Sequence, residues 1–133
     1  MATIKKFTDL LVWQKAHVFV LDVYNVTATF PKSEQFGLTN QIRRAAVSIT
    51  SNIVEGFERG SNKELKQFLV ISRASLAEVQ SQLLIARDLG YISKEQFSDL
   101  ANSSVEIHKM INGFMKSLQT RSLDTDKLNS GGI

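Results

Sequence analysis

The sequence predicts an all-α fold, an antiparallel up-down four-helix bundle. Three observations predict it: apolar residues recur at helical spacing over long segments, the one proline and all glycines but Gly37, Gly56 and Gly113 stand at joints or in the tail, and two serines carry helix-start signals. The helices are expected at about 10–29, 36–59, 62–89 and 94–118, joined by turns short enough to make neighbours antiparallel.

For the first helix, Thr8 or Asp9 is available as N-cap, and Trp13, Ala16, His17, Val20, Tyr24 and Thr27 share one face. Val12, Phe19, Val26 and Phe30 form a second face, and Pro31 ends the helix. The second helix begins between Glu34 and Leu38. Its inner stripe is Leu38, Ile42, Ala45, Ala46, Ile49, Ile53 and Phe57, with Val47 and Val54 nearly opposite. Gly60 can adopt the left-handed conformation that closes it.

Ser61 and Glu64 then make a capping box, each side chain able to satisfy a backbone donor of the next helix start. The third helix buries Leu65, Phe68, Leu69, Ser72, Leu76, Val79, Leu83 and Ala86, and carries a second apolar band of Ile71, Ala74, Ile85 and Leu89. Gly90 stops it, and Ser93 with Gln96 forms another capping box. The fourth helix turns Phe97, Leu100, Ala101, Ser104, Ile107, His108, Ile111, Met115 and Leu118 inward. Residues 1–118 thus make one domain, and 119–133, with little apolar periodicity, is expected to be a disordered tail.

Composition narrows the function. At 133 residues with no cysteine, the chain has no thiolate nucleophile, disulfide or Cys-based metal site. Apolar runs are short, the N-terminus lacks a signal-peptide pattern, and a cytoplasmic protein without membrane contact is expected. No phosphate-binding loop, nucleophile elbow or zinc-protease motif occurs, so no catalytic residue and no cofactor is assigned and the chain is not expected to be an enzyme. A metal role for His17 and His108 is disfavoured, because Glu106 and His108 are two residues apart and face different directions, unlike the Glu-x-x-His pairs of bundle metal sites.

The net charge of +3 is a mild pointer to polyanions. Arg43 and Arg44 are adjacent on a helix, point about 100° apart and therefore serve different partners. Arg44 shares a side with Ser48, Ser51, Glu55 and Arg59, whereas Arg43 leans towards Val47, Thr50 and Val54 on the outer face. Both readings stay open for them, ion pairing to a neighbouring helix or subunit and phosphate contact, since the guanidinium fork suits either. Arg59, Lys63, Lys66 and Arg73 add a basic rim, diluted by Glu58 and Glu64, that rotational symmetry turns into a ring. Asn52 is expected to bond across to helix one or three, within a structural polar network of Asn52, Glu55, Ser72, Ser75 and Glu78. The surplus apolar positions Val47, Val54, Ile71, Ala74 and Ile85 are the expected interface of a homo-oligomer.

A resemblance sharpens this. The run F-P-x-x-E-x-x-G-L-x-x-Q-I-R-R-A-A-V-S-I-x-x-N-I-V-E-G-x-x-R from Phe30 to Arg59, with Val12–His17, Phe68–Glu78 and Leu89-Gly90-Tyr91, resembles the bacterial four-helix-bundle family encoded in 23S ribosomal RNA intervening sequences. That family is similar to the accessory variability determinant of diversity-generating retroelements. The resemblance implies a basic homopentameric ring that engages RNA or DNA and a nucleic-acid enzyme such as a reverse transcriptase. The chain departs from the family pattern at Val54, where alanine is frequent, and at Ala74, where glycine is frequent. The expected function is a non-enzymatic oligomeric bundle that binds nucleic acid through a basic surface. The alternative is a protein-binding scaffold ring without nucleic-acid contact.

Overall fold

The computed structural model of the chain describes residues 3–120. It contains four helices, α1 (Leu11–Thr27), α2 (Leu38–Glu58), α3 (Asn62–Asp88) and α4 (Lys94–Thr120), with 3-10 turns at Phe7–Asp9 and Lys32–Glu34 and no strand among the described residues. The helix starting at Lys94 runs through residue 120, so the first two residues of the expected tail are helical backbone. The rest of that tail lies outside the described residues.

The caps explain the boundaries. The Glu64 N–H donates to Ser61 Oγ at 3.2 Å, and the Ser93–Gln96 pair closes reciprocally at 3.0 Å in both directions. Gly60 (φ 83°) and Gly90 (φ 78°) take the left-handed turns that follow α2 and α3. The first helix differs from expectation: Leu10 is its N-cap and gives no side-chain bond. Asp9 instead closes the preceding turn, accepting from the Lys5 and Lys6 N–H groups at 2.9 and 3.0 Å, which hold its carboxyl below the usual carboxylate range.

Each helix packs against two others in the cyclic order α1, α2, α3, α4, and the backbones of the diagonal pairs stay apart among the described residues. The contacts run in opposite senses along neighbours. Arg43 near the start of α2 meets Tyr24 and Thr27 at the end of α1, and Arg73 early in α3 meets Asn112 late in α4. The closest seam is α2–α3. A Cβ at Gly56 would fall 2.8 Å from Phe68 Cβ and 3.3 Å from Leu65 Cα, so only glycine admits this approach. Ser72 Oγ, fully buried, donates to the Ile49 carbonyl at 2.8 Å across the same seam.

The core stripes of α2, α3 and α4 follow the sequence periodicity, from Ile42 to Phe57, Leu65 to Ala86 and Leu100 to Leu118. The face of α1 is corrected. Val12, Phe19 and Phe30, expected on a second face, are buried, whereas His17 and Tyr24 are exposed and Trp13 is half-buried. On α4, His108 is likewise exposed rather than inward. α3 holds an 18-residue window of mean hydropathy 1.2, apolar enough by length and composition to cross a bilayer. Its Leu65, Leu69, Leu76, Val79 and Leu83 are, however, the core of the bundle.

At the opposite end from Gly60, Glu34 ties three segments together. Its carboxylate accepts from the Leu38 N–H at 3.2 Å and from the Tyr91 hydroxyl at 2.8 Å, and that bond raises the Tyr91 phenol above its ordinary value.

Candidate functional site

The two adjacent arginines of α2 have different environments, as their angular offset demands. Arg43 Nε donates to Thr27 Oγ1 at 2.8 Å, Nη2 donates to the Tyr24 carbonyl at 3.1 Å, and the guanidinium lies 4.5 Å from the Tyr24 ring centroid. It caps the C-terminal end of α1, where free carbonyls and the helix dipole favour a cation. The expectation that Arg43 leans to the outer face beside Val47 and Val54 is therefore corrected: α1 packs there. Arg44 is exposed, with no bonded partner among the described residues.

The other candidate cations divide in the same way. Arg59 pairs with Glu55 at 3.3 Å and lies over the Phe68 ring, and Arg73 donates to Asn112 Oδ1 at 2.8 Å. Lys63 and Lys66 have no bonded partner among the described residues and line a shallow groove with Gln67, Val70 and Leu118. Arg44 shares its groove with Glu78, which lies roughly 22 Å along α3 from Lys63. Within one chain the free cations thus form two separate sites, not one patch.

Arg44 belongs to an open groove of about 490 Å³ between α2 and α3, lined by Asn40, Gln41, Arg44, Ala45, Ser48, Ser75, Glu78 and Gln82. Its floor is the Ser48–Ser75 hydroxyl pair at 2.8 Å. Gln82 Oε1 is sealed from solvent and has no hydrogen-bond donor among the described residues. Nothing in the sequence marks Gln82, because an amide on a helix rim looks like any solvated residue.

The expected polar network is smaller than the sequence implies. Asn52 bonds back within its own helix, to the Ser48 carbonyl at 2.8 Å and to Ser48 Oγ at 3.0 Å, and reaches α3 only through Ser48 and Ser75. Ser72 bonds separately to Ile49, while Glu55 takes Arg59 and Glu78 stands exposed in the groove. The correction has a simple cause. At the α2–α3 approach set by Gly56, short hydroxyls span the gap and longer acidic side chains are displaced to the rim.

Of the expected interface positions, Ile71 and Ile85 are each 47% exposed and Val47 is 39% exposed. Ala74 is also exposed, whereas Val54 is half-buried in a groove lined by Phe7, Trp13, Thr50, Ser51, Glu55 and Glu58. Apolar exposure missed by periodicity lies at Leu11 and Val18 on α1 and at Phe36, which is 86% exposed in the connection before α2. His17 stacks on Trp13 with ring centroids 4.8 Å apart. No group of three metal-capable side chains occurs among the described residues.

A family model described as 23S rRNA-intervening sequence protein matches residues 8–113. Among solved structures, the chain is similar to a protein of unknown function from the S23 ribosomal protein family of Bacteroides thetaiotaomicron. The two are 26% identical with a TM-score of 0.72, over 80% of this chain and 99% of that one. No curated protein matches.

Proposed function

The chain belongs to the 23S rRNA-intervening sequence protein family, and from that premise we propose that it is a non-enzymatic homo-oligomer, a pentamer, that binds RNA or other nucleic acid through its pooled basic surface. The observation that carries this reading is the outer face of α3. Val70, Ile71, Ala74 and Ile85 are exposed there although all four helices have already closed their core. Apolar side chains left exposed on a finished bundle, here in two groups separated by the exposed Glu78 and Ser81, favour an interface. Lys63 and Lys66 stand on the same helix without partners among the described residues, so copies that associate through this face bring these cations together. Charge that is mild on one chain is multiplied by the number of copies, and binding to a polyanion grows with the phosphates neutralised.

The test is the mass of the purified chain by light scattering at micromolar concentration. The expected value is near five times the 14.9 kDa of one chain. Ile71→Asp is expected to give helical monomers, because its side chain is exposed in the subunit, whereas Ile49→Asp, at a fully buried position, is expected to unfold the subunit itself. A monomeric parent protein contradicts the proposal.

A further inference from the structure

We propose that the subunit contact is head to tail: the outer edge of α1 in one copy packs along the outer edge of α3 in the next, with Asp22 of the first set against Arg73 of the second. This rests on the homo-oligomer reading above and names the two surfaces that meet. α1 and α3 stand at opposite corners of the bundle, so their outer edges face away from each other. α2 runs in the opposite sense to both, which makes α1 and α3 parallel.

Each edge carries an uncovered stripe. On α1, Leu11, Val18 and Leu21 are each more than half exposed and fall, through Gln14, at alternating three- and four-residue steps, the spacing of a helix seam. On α3, the exposed Val70, Ala74, Ala77, Ser81 and Leu84 keep the same steps. Neither stripe belongs to the core of its own subunit.

The two stripes match at the height where they would meet. Counting along α2 from Arg43, which holds Tyr24 and Thr27, Ile49 comes level with Val18 to Leu21 of α1. The Ile49 carbonyl accepts from Ser72 of α3. Rotation about an axis along the bundle keeps these heights equal. The bulk of Val18 and Leu21 therefore arrives beside Ala74 and Ala77, the low stretch between Val70 and Leu84. Charge agrees with that register. Lys15 reaches Glu106 of α4, and Asp22, about two turns further on, shares its side of α1. Arg73 reaches Asn112 of α4 from α3. Head-to-tail copies place their α4 sides together. Asp22, which has no partner among the described residues, thus meets the Arg73 donors that Asn112 leaves unused. A two-fold contact of α3 with α3 would leave Asp22 and the α1 stripe uncovered.

The chain has no cysteine, so introduced thiols report the contact. The experiment mildly oxidises the full chain carrying Leu21→Cys, Ala74→Cys or both, and reads non-reducing gels beside the mass by light scattering. The two positions lie on opposite edges of one chain, so a disulfide between them joins two copies. The double variant is expected to give a ladder of covalent multimers ending at the assembled size. Co-expressed single variants are expected to give dimers, and each single variant alone to stay uncrosslinked. Asp22→Arg or Arg73→Asp alone is expected to raise the dissociation concentration about tenfold, and the two together to restore it. Dimers from Ala74→Cys alone or Leu21→Cys alone overturn the head-to-tail contact in favour of a two-fold one. An assembled double variant without a ladder, or a charge-reversed pair that does not recover, also overturns it while leaving the oligomer reading in place. A monomeric parent protein overturns that reading as well.

Discussion

The two flanks of α2 each meet an antiparallel helix and end in opposite states. Towards α1, Arg43 is fully engaged by Thr27, the Tyr24 carbonyl and the Tyr24 ring. Towards α3, Arg44, Glu78 and Gln82 Oε1 belong to one groove and have no partner among the described residues. The backbone separation explains the contrast. Gly56 lets α2 and α3 approach until serine hydroxyls and a single serine-to-carbonyl bond fill the seam, which leaves long polar side chains at its edge. Against α1 the gap is wide enough for an arginine, and the arginine is consumed in holding the helices together. Close packing with small residues therefore leaves long polar groups at the rim of the seam, and looser packing uses them for structure.

That contrast can be broken at its source. Gly56→Val places methyl groups against Phe68 and Leu65 and is expected to destabilise the subunit by about 2–3 kcal/mol, measured by chemical denaturation, because the core cannot yield without separating the helices. A near-neutral result would mean that the seam is not held by close approach. Next in size, Arg43→Ala is expected to lose about 1–2 kcal/mol through two hydrogen bonds and a ring contact. Arg44→Ala is expected to change stability by less than about 0.5 kcal/mol while weakening RNA binding. Equal melting losses for the two would erase the distinction between the flanks.

The smallest effect is a pH dependence on the α1 side, where Phe7, Trp13 and Val54 line one groove. Asp9 has a carboxyl held below its ordinary value by the Lys5 N–H and then the Lys6 N–H. The stabilisation of the 3-10 turn is thus present above the ordinary carboxylate pKa and is lost as pH falls through the lower folded-state value. The protection of the residue 5 and 6 amides, measured relative to their intrinsic exchange rate at each pH, is expected to fall in that acidic range with the four helices unaffected. Protection that stays constant through that range would show that the turn is held by packing alone.

How much of this was legible in the sequence follows from the same physics. The helix limits near Gly60 and Gly90, both serine caps and the inner stripes of α2, α3 and α4 are local properties of spacing and turn chemistry, and they agree with the structure. α1 carries two apolar stripes, and periodicity cannot decide between them. Phe19 and Val12 are inside because α2 and α4 both close over that side, leaving Trp13 to lie half-covered against Phe7 with a ring separation of 5.2 Å. The different surroundings of Arg43 and Arg44 were readable from their angular offset, but which flank meets α1 is a tertiary fact. Asn52 bonding to Ser48 within its own helix, and Gln82 losing access to water, depend on a helix separation that no spacing rule supplies.

The most direct test of the functional account is the salt dependence of binding between the assembled protein and mixed-sequence single-stranded RNA. Pooled cations predict log affinity falling linearly with log salt, by about 0.7 for each phosphate neutralised, with a total slope of several. Assembled protein that binds neither RNA nor DNA at low salt contradicts it.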